Sequence, residues 1–161
     1  MIRVLVIDDN ITFAQTLSAG LSAKRGDLII DPVGTAESAL RLIRETDYDV
    51  IISDVCMPRL NGFRLLEQTK VLRPFTPVVL ITGYGDRELE DQATQSGAYA
   101  FVHKPVDADV LASVVSRAVL KAKVRRNVEH SQDLFLQSQK ILNNIQKMTE
   151  RLQRTIRDSQ V

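Results

Sequence analysis

Five side chains in this sequence have the types and spacing to do chemistry together. Asp8 and Asp9 follow an apolar run at 2–7, and Asp54 follows another at 50–53. Thr82 follows a third run at 77–81, and Lys104 comes shortly after a fourth at 99–102. If these runs are neighbouring parallel strands, their carboxyl ends lie together, where doubly wound sheets bind ligands. Three carboxylates brought close repel one another and raise at least one pKa unless a cation intervenes. Oxygen-only donors suit a hard divalent ion, and few donors with open positions suit Mg²⁺ held beside a phosphate. A lysine and a hydroxyl on the opposite rim could grip two phosphoryl oxygens. Together they make a phosphoryl-transfer site with a carboxylate available as nucleophile. Each residue alone has a plainer role: an Asp pair caps a helix, Asp54 or Thr82 shapes a turn, Lys104 sits on the surface. At four strand ends on one side of one sheet, coincidence is the poorer account.

The elements that must position these residues follow from alternating periods. Ile2–Ile7 is continuously apolar except for Arg3, as in a strand buried on both faces. Ile11, Phe13, Ala14, Leu17 and Leu21 then recur at helical spacing up to Gly26. A second strand is predicted over Leu28–Val33, and Thr35 is placed as the N-cap of a helix carrying Ala36, Ala39, Leu40 and Ile43. Val50–Ser53 reads as strand three. A helix follows Gly62 with Leu65, Leu66 and Val71 inward and stops near Pro74. Pro77–Ile81 reads as strand four, Arg87–Ser96 as a helix ended by Gly97, Tyr99–Val102 as strand five, and Asp107 caps a last helix. Five strands each followed by a helix imply an α/β fold, a doubly wound parallel sheet with right-handed crossovers. Pro32 cannot donate to a ladder, so strand two belongs at an edge. The flavodoxin-like order 2-1-3-4-5 puts it there.

Length and charge narrow the classes further. At about 150 residues per domain, 161 residues hold one domain and an appendage. The formal charge of +1 gives no bulk field toward nucleic acid or an acidic membrane. It hides an asymmetry: residues 1–112 carry 11 basic and 16 acidic side chains, and 113–161 carry 10 and 4. A single cysteine, Cys56, excludes an internal disulfide framework and a multi-cysteine zinc site. The apolar run before Asp8 is too short for a signal peptide, and no stretch approaches the roughly 18 apolar residues of a membrane span. The expected compartment is the cytoplasm, with no membrane partner.

Residues 1–120 resemble the receiver domain of bacterial two-component response regulators. The motifs that carry the resemblance are Val-Leu-Val-Ile-Asp-Asp at 4–9, Ser-Asp-Val-Cys-Met-Pro with Asn-Gly following at 53–62, Val-Val-Leu-Ile-Thr-Gly at 78–83, and Gly-Ala-Tyr-Ala-Phe-Val-His-Lys-Pro at 97–105. Ile-Thr-Gly-Tyr-Gly-Asp with Gly-Ala-Tyr is similar to the subgroup found ahead of ATP-dependent transcription activators, although no Gly-rich phosphate loop follows here. The resemblance implies that Asp54 accepts a phosphoryl group from a histidine kinase or phosphotransfer protein. It implies Mg²⁺ on Asp9, Asp54 and the backbone carbonyl of Cys56, with Asp8 acting through a water. Lys104 would pair with the acceptor and then with the phosphate, and Thr82 and Phe101 would be the switch residues. The Lys104–Pro105 bond would be cis. Chemistry of this kind is confined to the protein's own phosphorylation and dephosphorylation.

Three departures from the family pattern stand out. Asn61-Gly62 replaces Asp-Gly, which a turn tolerates. Cys56 is expected to matter through its carbonyl and its bulk. Tyr84, two residues past Thr82, either shields an acyl phosphate from water or packs in a loop. Met57 reads as core, and neither His103 nor His130 has the neighbours of a metal site.

Residues 121–161 form a separate extension. From 120 onward there is no Gly or Pro, and Gln, Lys, Arg and Leu abound, which is helix rather than linker composition. With a and d at 131, 134, 138, 141, 145, 148, 152 and 155, the residues are Ser, Leu, Ser, Ile, Ile, Met, Leu and Thr. Phe135, Leu142 and Ile156 at e widen the stripe toward a bundle face. Leu134, Ile141, Ile145, Met148 and Leu152 are the expected homodimer contacts. A lone helix folded back on its own receiver is the competing arrangement. Asn127–Ser131 is where the helix could break. Lys140, Lys147, Arg151, Arg154 and Arg157 are basic, yet no DNA-binding motif or stacking aromatic accompanies them, so direct DNA contact is not expected.

Three functions are then in competition. The first is a phosphorylation-dependent module whose output is self-association or partner binding through the tail. The second is the front of a longer regulator whose tail leads to an effector domain. The third is a hydrolase or phosphatase passing through an aspartyl phosphate, whose motif calls for an acid two residues after the nucleophile, where Cys56 stands here.

Overall fold

The computed structural model describes residues 1–83, 91–92 and 95–158, with side chains described through Thr155. In chain order the elements are β1 (Ile2–Ile7), α1 (Ile11–Lys24), β2 (Leu28–Val33), α2 (Ala36–Glu45), β3 (Val50–Asp54), α3 (Gly62–Leu72), β4 (Val78–Thr82), β5 (Ala100–His103) and α4 (Ala108–Asp158). The strands form one five-stranded sheet in the order β2-β1-β3-β4-β5, with every pairing parallel. This is the expected flavodoxin-like order. Pro32 lies opposite Val6 in β2, an edge strand, where a missing N–H leaves no central ladder broken. The helix expected over Arg87–Ser96 falls largely outside the described residues, as do Tyr84 and the side chains of Ile156 and Arg157.

Strand alternation sorts the core into two layers. Leu5, Ile7, Ile51 and Leu80 pack with Ala39, Leu40 and Ile43 of α2 and Leu65 and Leu66 of α3. Val4, Val6, Val50, Ile52, Val79 and Ile81 point the other way, onto Ala14, Leu17 and Leu21 of α1 and Leu111, Val115 and Ala118 of α4. A sheet covered on both faces needs near-continuous apolar strands, and β1, β3 and β4 have them at Val4–Ile7, Val50–Ile52 and Val78–Ile81.

The caps explain where the helices begin. Thr35 accepts the Ser38 N–H at 3.2 Å, and Asp107 accepts those of Asp109 at 2.7 Å and Val110 at 3.3 Å. Asn61 accepts the Arg64 N–H at 3.0 Å, so the Asn that replaces Asp serves as a full N-cap. Two expected core positions are corrected. Val71 is 83% exposed and Ile11 40% exposed. In α3 the buried set is Gly62, Phe63, Leu65, Leu66 and Thr69. At 100° per residue Val71 falls on the far side of that stripe, and Thr69 takes the inward place.

The chain divides into two compact units, Met1–Lys123 and Val124–Val161. Within the first, α4 buries Leu111, Val114, Val115, Ala118, Val119 and Ala122. Within the second, the helix is unbroken through Asn127–Ser131, where the Ser131 hydroxyl donates to the Asn127 carbonyl at 2.9 Å. Every described side chain of 130–155 is exposed.

Gly62 is the tightest joint. A Cβ there would overlap the Asp54 carbonyl oxygen and lie 2.9 Å from Val55 Cα. Both contacts are backbone, which cannot rotate away. Gly62→Ala is therefore expected to cost about 1–3 kcal/mol, read as a lowered urea midpoint at unchanged slope.

Candidate functional site

Backbone bonds lock the carboxyl ends of the strands in pairs, β1 to β2, β3 to β4 and β4 to β5. Asp8 N–H donates to Val33 O at 3.2 Å, Val55 N–H to Ile81 O at 2.8 Å, and Lys104 N–H to Thr82 O at 2.7 Å. The candidate residues sit in or beside these bonds: Asp8, Thr82 and Lys104 make them, Asp54 precedes Val55, and Asp9 follows Asp8. Asp8 and Asp54 are buried, at 3% and 4% exposure, while Asp9 is exposed. The helix α1 is capped by Asn10, which accepts the Phe13 N–H at 3.1 Å, so neither aspartate is consumed as the cap.

Lys104 joins the two buried acids. Its Nζ lies 2.7 Å from Asp8 Oδ2 and 2.9 Å from Asp54 Oδ1. The remaining oxygens are also engaged: Asp8 Oδ1 accepts the Asn10 N–H and Asp54 Oδ2 accepts the Cys56 N–H, each at 2.9 Å. Burial pushes the Asp54 carboxyl above its ordinary range, and Asp8 adds to that, while Lys104 and the Cys56 N–H oppose it. Burial pulls Lys104 down, but its hydrogen bonds to Asp8 and Asp54 more than offset this, and its ammonium sits above the usual lysine value.

The other residues expected here are placed as follows. Thr82 ends β4 fully buried, beside His103 of β5 in register. Phe101 is partly buried, packs on the α2–α3 layer, and meets the His103 ring edge-to-face at 5.4 Å. The Lys104–Pro105 peptide is cis. Cys56 is an exposed free thiol, and Met57 belongs to the core. A cleft of about 270 Å³ beside Asp9 is lined by Gly34, Thr35, Met57, Pro58 and Arg59 among others. Sequence reasoning missed Phe13, read only as an apolar helix position: its ring centroid lies 4.4 Å from Lys104 Nζ. The available signal was its place in the first turn after an aspartate pair.

Among the described residues no three His, Cys, Asp or Glu side chains are clustered to hold a metal on their own. The donor set nonetheless suits a hard cation. Two buried carboxylates share a single ammonium, Asp9 adds a third acid, and the carbonyl of Cys56 is a further oxygen.

The fold and these strand ends define a class: a flavodoxin-like α/β domain whose ligand-facing edge combines acids with one lysine. Residues 4–116 match the response regulator receiver domain, and the chain belongs to that family. It is 38% identical, over 83% of its length, to the C4-dicarboxylate transport transcriptional regulatory protein DctD of Pseudomonas aeruginosa, of which it covers 28%. The chain spans only 26% to 28% of the length of the first three curated relatives. A receiver domain protein from Clostridium thermocellum is 29% identical, with a TM-score of 0.72 over 77% of this chain and 98% of that one. A response regulator protein from Burkholderia pseudomallei, with a phosphorylated aspartic acid, calcium ion and citrate, is 25% identical, with a TM-score of 0.66 over 80% of this chain and 75% of that one. The protein is thus a receiver of two-component signal transduction.

The raised Asp54 carboxyl has a consequence for stability. Its ionised form costs the fold free energy, a cost that is absent at low pH, appears as pH rises through the unfolded value of about 3.9, and grows until pH has passed the higher folded value. Lys104 keeps Asp8 as a partner when Asp54 loses its charge, so no cation is stranded. In calorimetry without divalent ions, Asp54→Asn is expected to melt a few degrees above wild type at pH 7. The difference should shrink as the buffer is taken below about pH 4.

Proposed function

We propose that Asp54 is the phospho-acceptor of this receiver and that a histidine kinase or phosphotransfer protein is the donor. The observation that carries the reading is the Lys104 ammonium held between buried Asp8 and Asp54 at the carboxyl edge of the sheet. An Asp54 oxygen forms a bond to phosphorus as the phosphorus–nitrogen bond of the donor phosphohistidine breaks and its electron pair returns to the imidazole. Asp9, Asp54 and the Cys56 carbonyl are the residues that would hold Mg²⁺, with Asp8 acting through a water. The cation would neutralise charge on the incoming phosphoryl group. Lys104 then exchanges a carboxylate oxygen for a phosphoryl oxygen, and the buried Thr82 hydroxyl supplies a second donor, with Phe101 following it inward. A new dianion that only one conformation can bind shifts the balance between two states.

In this reading residues 1–120 are the receiver, residues 121–161 are its output element, and the protein works in the cytoplasm. No helix among the described residues is long and apolar enough to cross a membrane. The output is a homodimer. Leu134, Ile141, Ile145, Met148 and Leu152 are each more than half exposed, as are Phe135 and Leu142. Gln132, Gln139, Gln146 and Gln153 recur every seventh residue, an independent sign of heptad periodicity. Val128 and Leu136, half or more exposed, add apolar surface to the same helix. Each apolar contact is worth roughly 1.5–3 kcal/mol when fully buried, before association costs. A second reading, that the tail leads into an effector domain, is favoured by the length of the relatives.

Two experiments test these assignments. With Mg²⁺ and phosphoramidate, wild type is expected to take up one phosphoryl group per chain, Asp9→Asn to do so far more slowly, and Asp54→Asn not at all, by intact mass. Repeated turnover of small phosphomonoesters would favour the hydrolase instead. In sedimentation at micromolar concentration, wild type is expected to run as a dimer or higher even oligomer. Ile145→Asp with Leu152→Asp should yield monomers that still take up phosphate. A wild-type monomer, or a double variant that stays dimeric, removes the tail as the association element.

A further inference from the structure

We propose that Phe13 is a positioning residue for the phosphorylation chemistry, its ring face holding the Lys104 ammonium over Asp8 and Asp54; this rests on Asp54 being the acceptor. The Phe13 ring centroid lies 4.4 Å from Lys104 Nζ, well inside the distance at which a cation is attracted to an aromatic face. The ammonium is largely removed from water, with the Lys104 side chain 27% exposed, which strengthens the attraction.

The ring is itself held. Phe13 N–H donates to Asn10 Oδ1 at 3.1 Å, so the cap that starts α1 also fixes the base of the side chain. Its ring packs against the layer under α1 and α4. Lysine has a flexible four-carbon stem and loses much rotamer freedom when its ammonium is confined. A wall is needed to keep it at the carboxylates. A third acid in that place would hold Lys104 too firmly and repel an incoming phosphoryl group. A neutral ring restrains the ammonium while leaving its charge available for transfer from carboxylate to phosphate.

The test uses the full chain, Mg²⁺ and phosphoramidate, reading single-turnover incorporation by intact mass. Phe13→Leu is expected to slow incorporation about fivefold, the size of one cation–π contact, and Phe13→Tyr to stay within about twofold of wild type. In a Lys104→Ala background, Phe13→Leu should slow nothing further. By NMR, the Lys104 ε protons should show an upfield ring shift in wild type and Phe13→Tyr that Phe13→Leu abolishes. Phe13→Met replaces the leucine variant if the latter does not fold. Equal slowing with and without Lys104, a tyrosine variant as slow as the leucine one, or no ring shift in wild type would reduce Phe13 to packing and overturn the proposal. Incorporation that persists in Asp54→Asn, or is absent from wild type, would instead overturn the acceptor assignment and this inference with it.

Discussion

The ammonium of Lys104, shared between two buried aspartates, is the interaction on which the arrangement of this receiver depends. Asp8 and Asp54 come from β1 and β3, adjacent strands, and Lys104 follows β5 on the far side of β4. A salt bridge of this kind is not a simple source of stability, because desolvation of its charges consumes much of what their attraction returns. Its value lies in geometry. It ties the outer strand of the sheet to its centre at the edge where the chemistry is.

That edge is possible only because the surrounding sequence removes competing uses for the same groups. Asn10 takes over the capping of α1, so Asp8 and Asp9 are free of it. Asn61 caps α3, and Gly62 lets that helix start directly against the Asp54 backbone. The β3–α3 loop is short and bent, with Arg59 in the left-handed region at φ 68°. Each device brings a helix start close to a strand end without filling the space with a side chain.

The sheet order and the four strand ends were legible in the sequence because they rest on hard constraints. Continuous apolar runs demand a sheet covered on both faces, and Pro32 demands an edge. Thr35 and Asp107 signal helix starts through side chains that can do little else there. Val71 and Ile11 were misread because a valine or isoleucine in a helix announces hydrophobicity and not direction; the phase of α3 is set by Leu65 and Leu66, and Val71 follows it outward. Phe13 was legible as an apolar residue and not as a neighbour of Lys104. The two are 91 positions apart, and only the parallel sheet, which puts the start of α1 after β1 and the residue after β5 at one edge, brings them together. Local periodicity carries no information about such a pair.

Burial of Asp54 also bears on how a switch can be built from so few groups. A solvent-exposed acid could be phosphorylated with little consequence, since water would screen the added charge. Here the carboxyl is desolvated and its ionised form is already unfavourable, so its two oxygens must be answered by specific donors, the Lys104 ammonium and the Cys56 N–H. A phosphoryl group on this oxygen would bring more charge and more acceptors into the same dry space. The donors that now hold the carboxylate, the Lys104 ammonium and the Cys56 N–H, would be drawn toward the added oxygens and away from their present geometry. In a buried site such a rearrangement of donors couples a local covalent change to the packing around it, and the tight layers above and below the sheet favour discrete arrangements over a continuum.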